Sequence, residues 1–168
     1  DEKSFNKQKS NNKKSVLKLL SNNNIKLSIL SAGVGYITMS TLMTATPISM
    51  NIMHGYSIFS TGIVIQLHVV GMFLPSLFTG NLIKIYGHKN IIYSGIIILL
   101  ICIFINFSFE TYYGFMTGLI LLGIGWNFLF ISGTSLLVIS YDEENKFLSQ
   151  GLNDFVVFST QAIGSLSA

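Results

Sequence analysis

The longest uncharged stretch of the sequence sets the strongest constraint on its fold. Residues 27–83 contain no Asp, Glu, Lys or Arg, and further apolar stretches follow to the end of the chain. About 20 apolar residues in a helix, at about 1.5 Å each, cross a hydrocarbon core about 30 Å thick. Charged residues make up only 10% of the chain, whereas soluble domains contain about 25%. The sequence therefore predicts an integral membrane protein whose solvent is the lipid bilayer.

Polar breaks divide the apolar sequence into five predicted helices. The breaks lie at 54–57, 84–90, 108–111 and 141–146, which places helices at about 27–53, 58–83, 91–107, 113–140 and from 148 onward. Helices are favoured over a barrel because every backbone amide in lipid must be hydrogen-bonded internally, and the alternating pattern of barrel strands is missing. The predicted fold class is an all-α membrane protein with about five transmembrane helices.

The first 26 residues differ in composition from the rest of the chain. They hold seven lysines against Asp1 and Glu2, and most of the segment lacks a periodic pattern of apolar residues. We predict that residues 1–24 form a basic, largely disordered loop or linker, and that residues 25–168 form a transmembrane bundle. A short basic helix lying on an anionic membrane face is an open alternative for part of this segment. Nucleic-acid binding is not predicted, because neither arginines nor interleaved aromatic residues accompany the lysines.

The positions of the lysines predict the orientation in the membrane, because cytoplasmic loops retain positive charge during insertion. If residues 1–24 are cytoplasmic, five alternating helices place Lys84, Lys89 and Lys146 on the same side. The two opposite loops contain no lysine, and Glu110 is the only strongly charged residue assigned to them.

One turn between two predicted helices carries a recognisable motif. The segment from Gly80 to Lys89, GNLIKIYGHK, resembles the glycine and basic-residue signature that the major facilitator superfamily places in the cytoplasmic turn after the second helix of each half. The candidate motif residues are Gly80, Lys84, Gly87, His88 and Lys89. Lys84 stands where the family has an acid, and Ile85 where it has arginine, so the family's charge-pair gate is not expected here. Gly80 and Gly87 would serve close helix packing and a tight turn with positive φ.

Four further segments resemble the second half of bacterial permeases of that superfamily. They are 44–47, 66–73, 125–130 and 150–155. The resemblance covers nearly all of residues 25–168 and assigns the five helices to helices seven to eleven of a twelve-helix fold. It implies a bacterial inner (plasma) membrane, with residues 1–24 as the central cytoplasmic loop and with the N-terminal half of the same transporter as partner. The chain starts without Met and stops within an apolar run, so a fragment of the C-terminal half is expected. Some relatives are riboflavin importers, which suggests a flavin-like substrate.

Polar side chains inside the predicted helices are candidate site residues, because each costs free energy in lipid unless it faces protein or a water-filled path. His68 lies near mid-membrane and is a candidate to bind substrate or carry a coupling proton. The alternative is a buried neutral histidine hydrogen-bonded to a neighbouring helix. Trp126 and Asn127 lie in the middle of the fourth helix, where an indole can stack on a flat ligand and an amide can bind its polar edge. Packing against nearby glycines is the alternative for Trp126.

Three more residues complete the candidate set. Tyr36 is predicted to line the cavity from the first helix, and Gln66 from the second, although Gln66 and His68 point to different faces. Asp154 is the only acid within a predicted helix. It is therefore, with His68, a candidate for proton coupling, and a structural contact to a loop or a helix dipole is equally favoured for it.

The predicted function is secondary active transport of a small organic solute by alternating access, coupled to a proton or another gradient. The alternative is a channel or pore-forming membrane subunit, although no repeated ring or re-entrant filter motif is visible. An enzyme is not predicted, because the sequence lacks H-E-x-x-H, G-x-S-x-G and glycine-rich phosphate motifs. Cys102 is the single cysteine, and neither a metal site nor a cofactor is predicted.

Overall fold

The structure, a computed structural model, describes residues 16–168, and the prediction of a disordered basic segment falls mostly outside these residues. Residues 16–21 are helical. Six longer helices follow: α1 (Asn23–Ile48), α2 (Ile58–Phe73), α3 (Ser76–Tyr86), α4 (His88–Ser108), α5 (Tyr112–Val138) and α6 (Lys146–Leu166). A π-helical turn (Ser49–Met53) extends α1, and a 3₁₀ turn (Glu143–Asn145) precedes α6. Residues 16–168 contain no strand, so the predicted all-α class is confirmed.

Four helical segments between residues 16 and 168 are long and apolar enough to cross a membrane. They are Asn23–Met53, Ile58–Tyr86, His88–Ser108 and Tyr112–Val138. Helix α6 has 21 residues, but Lys146, Asp154 and several amide and hydroxyl side chains make it more polar than the other four. Its crossing of the bilayer stays a prediction.

Polar residues start three of the helices, and two of these residues, Ser57 and Thr111, lie in the predicted breaks. The side chains of Asn22, Ser57 and Thr111 accept hydrogen bonds from backbone N–H groups in the first turns of α1, α2 and α5, at 2.9, 3.1 and 3.2 Å. Such caps satisfy N–H groups that lack a partner within the helix. At the α3–α4 turn, Gly87 has φ +82°, a value that residues other than glycine rarely adopt. The predicted turn at Gly87 is therefore confirmed.

Helix α5 occupies the centre of the bundle and contacts α1, α2 and α4, while α6 packs on α1. Glycines on different faces of α5 let the neighbouring helices approach. A Cβ at position 125 would lie 2.8 Å from a methyl group of Leu99 in α4, and one at position 123 would lie 2.5 Å from the His68 carbonyl oxygen in α2. Small residues are typical of membrane helix interfaces, where close backbone approach replaces the hydrophobic driving force.

The two ends of the bundle carry different polar contacts. At one end, His88 of α4 lies 3.1 Å from the Ser135 hydroxyl of α5, and Asn22 donates to the Ser140 carbonyl at 3.3 Å. At the other end, the His54 and Glu110 side chains join the α1–α2 and α4–α5 turns, with Nε2 and Oε2 3.3 Å apart. The helices therefore alternate in direction between the two sets of loops, as the orientation argument requires.

Many large apolar side chains remain exposed on the outside of the bundle. Among them are Phe59, Ile97, Phe104, Phe107 and Phe158, each more than half exposed. A soluble protein rarely exposes so much contiguous apolar surface. This surface is suited to contact with lipid or with further helices.

Candidate functional site

An aromatic cluster joins the middles of α1 and α5. Trp126 and Phe130 are stacked, with ring centroids 4.9 Å apart and planes at 15°, and the Tyr36 ring meets both edge-on, at 5.4 and 5.5 Å. Gly35 of α1 faces this cluster, since a Cβ there would lie 3.5 Å from Cδ1 of Trp126, in ordinary van der Waals contact. We call Tyr36, Trp126 and Phe130 the aromatic cluster. Phe130 was not among the predicted site residues, although its spacing of four residues from Trp126 places it on the same helix face.

The aromatic cluster contains one polar group without a partner and has one carboxylate near it. The Nε1–H group of Trp126 is buried and has no hydrogen-bond partner among the described residues, whereas a buried indole N–H usually finds one. Asp154 of α6 is exposed and lies close enough to Tyr36 for its charge to act on the tyrosine hydroxyl. The cluster thus combines flat apolar faces with one free donor and one nearby carboxylate.

Asp154 is exposed rather than buried, because α6 turns other residues toward α1. The buried residues of α6 are Ser149, Asn153, Val157 and Gly164. Asn153 donates to the Asp154 carboxylate at 3.3 Å. No lysine approaches Asp154 within 4 Å in the described part of the chain. The carboxylate is available to a ligand, to water or to a further helix.

His68 lies apart from the aromatic cluster, sealed between α2 and α5. Its side chain is 1% exposed, and Nδ1 lies 2.9 Å from the Leu119 carbonyl oxygen, so Nδ1–H donates there. The other ring nitrogen, Nε2, is buried without a partner among residues 16–168. This is the geometry of the structural alternative, a buried histidine hydrogen-bonded to a neighbouring helix. Gln66, two positions away, is exposed, which confirms that the two side chains point to different faces.

Asn127 is fully buried and braces the break between α2 and α3. Its Nδ2 group donates to the Met72 carbonyl at 2.7 Å and to the Ser76 hydroxyl at 2.6 Å, and its Oδ1 accepts from the Thr79 hydroxyl at 2.7 Å. The break lies at Pro75, which has no N–H to continue the helix. The amide of Asn127 thus links the two sides of the break, through the Met72 carbonyl of α2 and two hydroxyl groups of α3.

The motif residues at the α3–α4 turn differ in their exposure and contacts. Lys84 and Lys89 are exposed, and His88 is half-buried against α5 through Ser135. A Cβ at Gly80 would meet nothing within 4 Å, so the predicted close helix packing is not found among residues 16–168 and stays a prediction. The physical reason is that α3 buries Thr79 and Ile83 instead, and Gly80 lies on the exposed side.

A cavity beside the α5–α6 turn lies away from all of these residues. It measures about 340 Å³ and opens between the segment before α1 and the α5–α6 turn. Its lining includes Lys18, Asn22, Tyr141, Asp142 and Glu144. None of the candidate site residues contributes to it.

An all-helical bundle with four apolar spans and a mid-span aromatic cluster defines a polytopic membrane protein. The chain matches the sequence model of the Major Facilitator Superfamily over residues 1–165. It therefore belongs to this family of membrane transporters, which confirms the resemblance found in its motifs. No solved structure shows significant similarity to the chain.

Three curated proteins illustrate the relationship. The riboflavin transporter RfnT of Brucella anthropi is 37% identical over 142 residues, covering 84% of this chain and 35% of the relative. The uncharacterized MFS-type transporters YdeG and YddS of Bacillus subtilis are 38% and 32% identical over 130 residues, covering 76% of this chain and 30% of each relative. The chain thus spans about a third of the length of the curated relatives that it matches.

Proposed function

We propose that this chain forms one wall of the substrate cavity of a secondary transporter, and that the substrate is a small, flat organic solute of the flavin type. The observation that carries the proposal is the aromatic cluster, in which Trp126 and Phe130 stack beside an unused indole N–H. Stacking faces with a few polar groups are the usual composition of a small-molecule site. The similarity to a protein named a riboflavin transporter supports the same class of substrate.

The cavity wall is proposed to comprise the aromatic cluster together with Asp154 and Gln66. An exposed polar side chain in a span is costly against lipid, so both are expected to face a water-filled path or another helix. His68 and Asn127 are assigned a supporting role, because hydrogen bonds hold both side chains to neighbouring helices. Transport would proceed by alternating access between this half and the N-terminal half. Residues 1–24 would be cytoplasmic, in a bacterial inner membrane.

Proton coupling is proposed to use Asp154 in preference to His68. The carboxylate is exposed beside Tyr36, where substrate would bind, whereas His68 is enclosed by α2 and α5. A coupling group must exchange its proton with water in at least one state, and an exposed carboxylate meets that condition.

The test is riboflavin uptake into vesicles that contain the full-length protein. Trp126→Ala removes one stacking face and is expected to raise KM about 2- to 13-fold, since an aromatic pair contributes about 0.5–1.5 kcal/mol. Trp126→Phe should recover most of the affinity, and Ser132→Ala is the matched control, because Ser132 is buried on α5 with no partner in the described residues. Wild-type KM in Trp126→Ala would remove the aromatic cluster from the site. Conductance without saturation would indicate a channel instead.

Coupling is tested in the same vesicles. Asp154→Asn should abolish accumulation driven by a proton gradient while retaining exchange of labelled for unlabelled riboflavin. Asp142→Asn is the control, because Asp142 is an exposed acid outside the four apolar spans. Wild-type uptake that is unaffected by collapsing the proton gradient would refute coupling.

A further inference from the structure

The contact between His54 and Glu110 joins two turns at the end of the bundle opposite to the lysine-bearing turns. Nε2 of His54, between α1 and α2, lies 3.3 Å from Oε2 of Glu110, between α4 and α5. Residues 27–83 contain no Asp, Glu, Lys or Arg, and Glu110 is the only such residue in 90–141. A proton on His54 is therefore the positive charge that these segments can supply to Glu110. We call His54 and Glu110 the outer clasp.

The backbone around His54 decides where one of its ring protons lies. Nδ1 is 3.0 Å from the Ser49 carbonyl oxygen, which can only accept, so Nδ1 carries a proton and donates it. The Ser49 hydroxyl is farther from Nδ1, at 3.5 Å. The backbone N–H of His54 donates to the same Ser49 carbonyl at 3.1 Å, at the end of the π-helical turn Ser49–Met53. The turn thus holds the ring with Nε2 toward Glu110.

The contact at Nε2 requires one further proton. A neutral ring with its proton on Nδ1 presents the lone pair of Nε2 to a carboxylate, and two acceptors repel each other. A proton between Nε2 and the carboxylate turns the same contact into a charge-assisted hydrogen bond. The joined state therefore holds one proton more than a neutral His54 beside an ionised Glu110.

The groups that face His54 leave histidine as the titrating group near neutral pH. The Tyr56 ring lies parallel to it, at a centroid distance of 6.3 Å, and the Phe115 ring meets it edge-on at 5.4 Å. Tyr112 of α5 contacts Tyr56 at 5.8 Å. Phenols carry no charge between about pH 5 and 8, the range in which an imidazole ordinarily changes charge. Protons reach the clasp from water, because the Glu110 side chain is 71% exposed.

We propose that the outer clasp is a pH-dependent link between the α1–α2 turn and the α4–α5 turn. It forms with one bound proton at the acidic end of the histidine range, and it is lost as the pH rises and the ring becomes neutral. Helices α1 and α5 also carry the aromatic cluster. If the proposed function holds, the clasp regulates how far these helices separate at the outer end of the substrate cavity.

A double-mutant cycle on the full-length protein tests the outer clasp. Wild type, His54→Gln, Glu110→Gln and the double variant are unfolded in mixed micelles at about pH 5.5 and about pH 8.5, near the two ends of the histidine range. Effects of pH elsewhere in the protein cancel in the cycle. The coupling between the two residues should change the unfolding equilibrium constant about 1.4- to 5-fold at the lower pH, as for exposed ion pairs. It should be absent at the higher pH.

Two further variants show whether the titrating ring is responsible. His54→Lys keeps its charge at both pH values, so its coupling to Glu110 should not depend on pH. Glu144→Gln is the matched control, because Glu144 is an exposed acid at the opposite end of the bundle and should not couple to His54.

Four results would each overturn the outer clasp. They are no coupling between His54 and Glu110 at the lower pH, equal coupling at both pH values, pH-dependent coupling in His54→Lys, and equal coupling of Glu144 to His54. Unfolding requires no substrate, so a failure of the clasp is distinguishable from a failure of the proposed transport function.

Discussion

Replacing Asn127 by leucine is expected to destabilise the protein through the break between α2 and α3. Leucine has a similar volume and cannot hydrogen-bond, so the Met72 carbonyl and the Ser76 hydroxyl both lose the amide donor that lies at 2.7 and 2.6 Å. The Thr79 hydroxyl loses Oδ1 of Asn127 but keeps the Pro75 carbonyl at 2.8 Å as acceptor. Two of the three interactions are therefore lost without replacement.

The expected loss follows from measured strengths of hydrogen bonds between membrane helices. These average about 0.6 kcal/mol and reach about 1.7 kcal/mol. Two such bonds give about 1.2 kcal/mol at the average and about 3.4 kcal/mol at the upper end. The upper end is favoured here, because Asn127 is fully buried, and a buried carbonyl left unpaired costs about 1–3 kcal/mol by itself.

The assay is equilibrium unfolding of the full-length protein in mixed micelles, followed by circular dichroism. Asn127→Leu should lower the free energy of unfolding by about 1–3 kcal/mol. Ser132→Ala is the control on the same helix, because the Ser132 hydroxyl is buried without a partner in the described residues and loses nothing when removed. An Asn127→Leu protein within about 0.3 kcal/mol of wild type, or an equal loss in Ser132→Ala, would refute the bracing role.

Two further predictions concern helix packing and orientation. Gly123→Ala should lower the free energy of unfolding by about 1–3 kcal/mol, because its Cβ would lie 2.5 Å from the His68 carbonyl oxygen. Gly62→Ala should raise the free energy of unfolding by about 0.5–1 kcal/mol, since a Cβ there would meet nothing within 4 Å. Equal effects of the two substitutions in the same unfolding assay would contradict the packing role of Gly123. Cysteines placed at Lys89 and Glu110 should react with an impermeant maleimide from opposite sides of the membrane, because α4 separates them, and labelling of both from one side would disprove the orientation.

Helix positions were largely predictable from local sequence. The predicted breaks at 54–57, 84–90 and 108–111 all coincide with helix ends, because a polar or glycine-containing stretch interrupts an apolar helix without help from distant residues. The second predicted helix is divided at Pro75 into α2 and α3, and a proline in the sequence already indicates such a break. The polarity of α6 was also visible in the sequence.

The roles of the polar residues were much less predictable. His68 and Gln66 differ by two positions, yet one is 1% exposed and the other is open. Helical periodicity predicts that the two side chains point to different faces, but it does not predict which of them faces α5. Asn127 had been selected as a ligand contact, and its amide instead meets three groups of α2 and α3.

Composition and spacing by themselves determined that this chain is a helical membrane protein, where its helices break and which superfamily it resembles. These properties depend on the local free energy of placing backbone and side chains in lipid. Tertiary structure alone decided that Trp126 meets Tyr36 and that Asn127 bonds to residues on both sides of the break at Pro75. The hydrogen-bond partners of Asn127 are 48 to 55 residues away from it along the chain. Only the packing of α5 against its neighbours brings them together.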